Sequence, residues 1–239
     1  CTLTHNPALA EKVATAEQLS ALKAIARSNS VTMDPHKLGY VPYSCGAFLV
    51  PDEQNYAVSQ FMAPYLDRPD LSQHKWSSTI EGSRAASGAS ATWLTGKCMP
   101  FVESDFATII ADTFQACRDF REQLTHSCKW VRPLQTNETN VFCFSVAENS
   151  DSLTVSNKKT LDIFEKIAKS PNFSVSKTVL HTKDYKKLLE AHVNTFAGQV
   201  DTEVLTLIRC VFMNPFWCNK EIGSKLRSEF IAEISKFYC

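Results

Sequence analysis

The sequence of 239 residues contains no apolar run of about 18 residues, and this absence predicts that no segment spans a membrane. It has no charge excess either, because lysine plus arginine equals aspartate plus glutamate at 25 each. A balanced chain gives no reason to expect nucleic acid or an acidic membrane surface as a partner. Internal repeats and a stretch typical of a secretory signal are also missing.

Cysteine pairs at metal-ligand or redox spacing are absent as well, although the chain has nine cysteines. Several lie within apolar stretches such as NVFCFSV and LIRCVFM. An odd number of scattered cysteines in apolar surroundings indicates buried free thiols in a reducing compartment, and so a cytoplasmic protein. The short run His126-Ser127-Cys128 is too small a cluster to predict a zinc site.

The hydrophobic pattern predicts an α/β protein in two parts, with a boundary near residue 103. In the first part we expect one helix that begins at Asn6 and Pro7, a short buried strand within 31–34, and a second strand in CGAFLV. A long helix follows from Ser104. The later stretches alternate between half-buried strands and amphipathic helices.

One lysine lies in an unusual setting. Lys37 follows the first predicted strand and stands between His36 and a Leu-Gly pair. A lysine whose amine is kept neutral by desolvation can condense with an aldehyde, and Gly39 would leave room for a flat ring near the backbone. The HKLG tetrapeptide alone also fits an ordinary lysine at a strand end, with its stem buried and its head in water.

Two longer stretches decide between these interpretations. The sequence SVTMDPHKLGYVPYSCGAFLV, followed by STIEGSRAASGASATWL, resembles the pyridoxal-phosphate-dependent group II amino-acid decarboxylases, most closely the bacterial tyrosine decarboxylase branch. The resemblance implies the fold type I, aspartate-aminotransferase-like α/β architecture. Residues 1–102 would form the C-terminal portion of the large cofactor-binding domain, and residues 103–239 the small C-terminal α/β domain.

The resemblance also implies roles for individual residues. Lys37 would form the Schiff base with pyridoxal 5′-phosphate, and His36 would lie beside the cofactor phosphate. Tyr65, in the loop SQFMAPYLDRPD, would protonate the carbanion that remains after carbon dioxide leaves. Gly82 and Ser83, in the EGSR turn, would contact the cofactor phosphate of a second subunit, which implies a homodimer.

The substrate pocket would be lined by apolar and aromatic side chains. The resemblance places Tyr40 and Tyr43 after the lysine, and Val211 and Phe212 on a later strand, around the substrate. These walls favour decarboxylation of tyrosine or another aromatic amino acid, although Arg209 lies close by in the sequence. A decarboxylase for acidic amino acids and a carbon–carbon lyase of the same fold remain open alternatives.

The family's carboxylate for the pyridinium nitrogen has no counterpart here. In the family this aspartate lies upstream of the lysine, whereas Asp34 belongs to the lysine motif and should point elsewhere. The chain starts at Cys1 without a methionine, so we expect a processed product or fragment, paired with a polypeptide that carries the upstream half. Strand 31–34 would lack neighbours without that half, and an inactive interaction module is the non-enzymatic alternative.

Overall fold

The computed structural model describes residues 2–52, 54–55, 85–136 and 139–238. The chain divides into two compact units, one made of Cys1–Asn6 with Ala16–Ala107 and the other of Pro7–Thr15 with Thr108–Cys239. The assignment of 1–102 to a large cofactor-binding domain and of 103–239 to a small domain stays a prediction. None of the helices in the described part combines the length and apolar character needed to cross a bilayer.

Helices and short strands alternate along the described residues. In chain order they are α1 (Thr2–His5), α2 (Pro7–Val13), α3 (Ala16–Ala24), β1 (Val31–Met33), β2 (Ala47–Leu49), α4 (Ser87–Cys98), α5 (Ser104–Ser127), β3 (Val131–Pro133), β4 (Val141–Val146), α6 (Leu153–Ala168), β5 (Ser176–His181), α7 (Thr182–Asn194), β6 (Val204–Val211) and α8 (Ile222–Tyr238).

The single helix predicted from Asn6 is in fact two helices. The break between α2 and α3 falls where the chain changes from one unit to the other. The guanidinium group of Arg118 donates to the backbone carbonyl of Lys12 at 3.2 Å, and so satisfies a carbonyl that the interrupted helix leaves open. Ala10 and Val13 of α2 are buried, whereas α3 buries none of its side chains.

In the first unit, β1 and β2 form a two-stranded antiparallel ribbon. Val31 pairs with Leu49, and Met33 pairs with Ala47. Among the described residues β1 pairs only with β2, and Met33 keeps 46% of its surface exposed, so the strand predicted at 31–34 is not buried within this chain, in line with the neighbours it was expected to lack without an upstream half. A two-stranded ribbon is marginal by itself because neither face is covered by a second layer.

The second unit contains a four-stranded antiparallel sheet in the order β3-β4-β6-β5. Helices α5, α6 and α8 contribute the buried side chains on one face. The ring of Phe120 on α5 is central there and lies 5.1 Å from both Phe212 and Phe230, measured between ring centroids. Helix α7, which the sequence pattern did not predict, packs Leu189 and Val193 onto a second apolar cluster with Leu205 and Leu207.

One residue of α7, His192, is a fully buried histidine. The Nε2 atom of His192 is 2.8 Å from the hydroxyl oxygen of Ser145 on β4. Burial lowers the pKa of His192 to about 4, and the nearby charge of Arg132 acts in the same direction. The folded protein therefore holds this imidazole neutral.

We predict that His192 makes the protein less stable in mild acid. Its pKa is about 4 when folded against an ordinary value of 6.5, so its stabilisation is complete above pH 6.5 and is lost as the pH falls toward 4. The free energy of unfolding, measured by urea denaturation with circular dichroism, should therefore fall by up to about 3 kcal/mol. His192→Gln should flatten this pH dependence, whereas His181→Gln, at an exposed histidine, should not. An unchanged slope in His192→Gln would contradict the assignment.

Candidate functional site

The residues after β1 form a compact turn, residues 34–41, held by its own backbone. The amide of Lys37 donates to the carbonyl of Asp34 at 2.9 Å, and the amide of Tyr40 donates to the carbonyl of Lys37 at 3.0 Å. The amide of Val41 then returns to the carbonyl of Pro35 at 3.1 Å. Pro35 and Val41 are buried, so the turn is anchored at two points.

Gly39 is required by the backbone of this turn. A Cβ atom at Gly39 would lie 2.5 Å from the carbonyl oxygen of Pro35 and 3.0 Å from its Cα atom. Both contacts are to backbone, which cannot move aside as a flexible side chain can. These backbone contacts alone explain why residue 39 is glycine. The room that Gly39 was expected to leave for a flat ring is not needed to explain it.

Lys37 projects from this turn as a charged, paired side chain. Its Nζ atom donates to Oδ2 of Asp34 at 2.6 Å, and 57% of the lysine side chain is exposed. This hydrogen bond, which Lys37 donates and Asp34 accepts, raises the pKa of Lys37 and lowers the pKa of Asp34. Asp34 therefore points at the lysine, and the amine is not desolvated as a neutral nucleophile would be.

His36 is held on the same turn by a different set of contacts. Its Nδ1 atom donates to the carbonyl oxygen of Cys45, and its ring lies 4.2 Å from that of Tyr43 at an angle of 32°. Because Nδ1 carries the hydrogen in this bond, Nε2 is the ring atom that can accept or bind a further proton. The structure thus orients His36 through the backbone at Cys45.

Cys45 is in turn attached to α4. Its sulfur is 2.9 Å from the hydroxyl oxygen of Thr92 and donates to the carbonyl of Gly88 at 3.3 Å. A Cβ atom at Gly88 would stand 2.6 Å from the carbonyl oxygen of Ser44, so only glycine permits this approach. Cys45, Gly88 and Thr92 were not predicted as site residues. The available signal was the run of small residues in RAASGASATWLTGK, since small side chains in a helix allow close packing against a neighbour.

The predicted pocket residues lie in different surroundings. Tyr40 has a positive φ of 53° and its ring meets Phe106 edge-on at 6.4 Å, while Tyr43 is 79% exposed. In the second unit, Val211 is 47% exposed, but Phe212 is 4% exposed within the aromatic core. The substrate role of these four residues stays a prediction, and the burial of Phe212 does not support its part in it.

Three predicted site residues cannot be compared with the structure. Tyr65, Gly82 and Ser83 lie outside the described residues, and their roles remain predictions. Among the residues that are described, no three or more histidine, cysteine, aspartate or glutamate side chains come together as metal ligands would. Lys37 fits one requirement of an aldehyde cofactor, because its primary amine is within reach of solvent.

Comparisons with known proteins find amino-acid decarboxylases among the relatives of this chain. The L-tyrosine decarboxylase of Enterococcus faecium is 26% identical over 243 residues, which cover 92% of this chain and 39% of that protein. A probable L-tyrosine/L-aspartate decarboxylase of Methanothermobacter thermautotrophicus is 37% identical over 71 residues, or 30% of this chain and 18% of the relative. No family model matches the chain.

The fold is similar to part of a solved structure. The crystal structure of Oryza sativa TDC with PLP and tryptamine superposes with a TM-score of 0.60 at 14% identity, over 91% of this chain and 40% of that one. The predicted fold type I α/β architecture is thereby confirmed. This chain spans about two fifths of the length of the proteins it matches.

We predict that Gly39→Ala opens the turn at residues 34–41. The added methyl group meets backbone at 2.5 Å, so the local opening free energy should fall by about 1–3 kcal/mol. Amide hydrogen exchange at Tyr40 and Val41 should then be at least about fivefold faster. Gly46→Ala is the matched control, since its Cβ would lie 3.5 Å from Asp34 Oδ1, an ordinary contact. Equal exchange rates in both variants would refute the constraint.

Proposed function

We propose that this chain, which is homologous to L-tyrosine decarboxylases over about nine tenths of its length, is the C-terminal part of a pyridoxal-phosphate-dependent amino-acid decarboxylase. The complete protein would convert an L-amino acid to its amine and carbon dioxide, with tyrosine or another aromatic amino acid favoured. The observation that carries the proposal is the position of Lys37 next to His36 on a turn that is closed by its own backbone hydrogen bonds.

Two residues of the turn would hold the cofactor. Lys37 would bind its aldehyde group, and His36 would lie beside its phosphate. Since Nδ1 of His36 is engaged by the carbonyl of Cys45, the ring can donate to a phosphate oxygen only from a protonated Nε2. A phosphate dianion would favour that protonated form. When bound, pyridoxal phosphate supplies an electron-withdrawing ring that stabilises the negative charge left on the α-carbon.

The remaining roles fall on residues outside the described part of the chain. Tyr65 would donate a proton to the α-carbon after carbon dioxide has left. Gly82 and Ser83 would reach the cofactor phosphate of the partner in a homodimer, where backbone amides and a hydroxyl group suit an anion. The motif resemblance supports these three assignments.

The choice of substrate depends on the pocket walls. Tyr40, Tyr43 and Val211 offer aromatic or apolar surface, which favours tyrosine. The alternative is an acidic substrate, which the similarity to a probable L-tyrosine/L-aspartate decarboxylase supports. Arg209 is an exposed cation whose Nε atom already donates to the hydroxyl of Ser176 at 2.9 Å. An acidic substrate would have to compete with that contact.

The upstream part of the protein would cover the ribbon of β1 and β2. Met33, Phe48 and Leu49 keep 46% to 50% of their surfaces exposed, and exposed apolar side chains on one element indicate a contact surface. The matched relatives extend well beyond the 39% that this chain covers, which supports an upstream part as the occupant. No disulfide joins the seven described cysteines, which supports a cytoplasmic location.

We predict that the complete protein, with the upstream part joined or added as a separate chain, releases carbon dioxide from L-tyrosine. The specificity constant should be higher for tyrosine than for glutamate, since the residues proposed to line the pocket are mainly aromatic or apolar. The 239-residue chain alone should be inactive, because it lacks the carboxylate expected for the pyridinium nitrogen. Amine formation and carbon dioxide release are the measurements.

Variants of the complete protein sharpen this test. Tyr65→Phe should lower amine formation about 10²–10⁴-fold, the usual effect of a lost general acid, without loss of cofactor absorbance. Tyr185→Phe, at a half-exposed tyrosine of α7, is the matched control and should keep full activity. A higher specificity constant for glutamate would overturn the aromatic assignment. Cofactor binding without decarboxylation of any amino acid would overturn the proposed reaction.

A further inference from the structure

The geometry points to Asp34 as a positioning residue for Lys37: we propose that its carboxylate holds the lysine as an ammonium ion while no cofactor is bound. In this state Lys37 would react with an aldehyde only at a higher pH than a free lysine. The inference deepens the proposed function, on which its relevance to the cofactor rests. The contact itself is a property of the described turn.

The carboxylate of Asp34 has a neighbour at each oxygen. Oδ2 accepts from Lys37 Nζ at 2.6 Å, and Oδ1 lies beside Gly46, where a Cβ atom would stand 3.5 Å away. Asp34 and Gly46 directly adjoin the paired residues Met33 and Ala47, so the ribbon sets their spacing. The Asp34 side chain is 31% exposed, against 57% for Lys37, so the carboxylate is the less exposed partner of the pair.

The backbone brings the lysine to this carboxylate. The bond from the Lys37 amide to the Asp34 carbonyl closes a turn in which residues i and i+3 approach each other. His36 and Tyr43 are the other titratable groups that act electrostatically on the pair. Asp34 has the largest effect on Lys37, and its hydrogen bond raises the pKa of the amine.

The chemistry explains why this contact opposes cofactor attachment. The ammonium group must first lose a proton to a base in solution, because only the neutral nitrogen has a free electron pair. That nitrogen then forms the bond to the aldehyde carbon, and the carbonyl oxygen leaves as water. The neutral amine has no ion pair with Asp34. The contact therefore stabilises the unreactive form and moves the onset of reaction to higher pH.

Competitive labelling tests the proposal without any cofactor. The chain would be treated with trace acetic anhydride from pH 7 to 10, and the labelling of Lys37 relative to exposed Lys23 measured by peptide mass mapping. In Asp34→Asn the pH profile of Lys37 should move to lower pH, and the labelling ratio at pH 8 should rise about two- to fivefold, as for the loss of a surface ion pair. Asp34→Glu, which keeps the charge, should restore much of the original profile.

A matched control removes a different ion pair by the same substitution. Asp162→Asn deletes the carboxylate that lies 2.8 Å from Lys166 in the second unit, and it should leave the Lys37 profile unchanged. The unaltered chain provides a second measurement that does not depend on how the variants fold. Raising sodium chloride from 0.1 to 1 M screens exposed charges and should also increase the Lys37 ratio.

The outcomes separate this inference from the proposed function. If neither Asp34→Asn nor high salt changes the Lys37 profile, the role of Asp34 is overturned. The second arm adds pyridoxal phosphate to the complete protein and traps the product with borohydride, where Asp34→Asn should attach the cofactor faster at pH 8. A shifted labelling profile without any attachment at Lys37 of the complete protein would support the Asp34 contact and contradict the proposed function.

Discussion

The close approach of Gly39 to the backbone of Pro35 is the constraint on which the candidate site depends. The space between them admits no side-chain carbon, so only glycine at position 39 lets the chain fold back here. The fold-back brings the Val41 amide to the Pro35 carbonyl. This closure sets the direction in which Lys37 leaves the turn. It also orders the backbone before any ligand arrives, which lowers the conformational entropy that binding would otherwise cost.

The two functional side chains of the turn are held by different partners. The ring of His36 is oriented by the carbonyl of Cys45, which is attached to α4 through Thr92, whereas Lys37 is held by the carboxylate of Asp34. The first contact leaves Nε2 available for a ligand and can persist when one binds. The second must be given up when the lysine nitrogen reacts. The backbone of the turn and the ring of His36 are thus in place before a ligand binds. The amine of Lys37, in contrast, must leave Asp34 before it can react.

Helices and strands were predicted from the sequence where the hydrophobic pattern was long or its ends were marked by turn or capping residues. The 24-residue helix α5 and strands β4 and β6 are examples. Helix α7 was missed, although Tyr185, Leu188, Leu189, His192 and Val193 repeat at helical spacing, because its charged residues follow β5 without an intervening loop.

The candidate site was only partly predictable. Lys37 and His36 were found from a specific motif, and the structure places both on one turn. The Asp34 contact and the anchor at Cys45 and Thr92 were not predicted, because they depend on backbone geometry and on residues more than 40 positions apart.

Identification of the lysine that binds the cofactor tests the central claim most directly. The complete protein would be incubated with pyridoxal phosphate, reduced with borohydride and digested, and the modified peptide located by mass spectrometry. The account predicts a single label on Lys37. A label on a different lysine, or none on Lys37 in a protein that releases carbon dioxide from tyrosine, would contradict it.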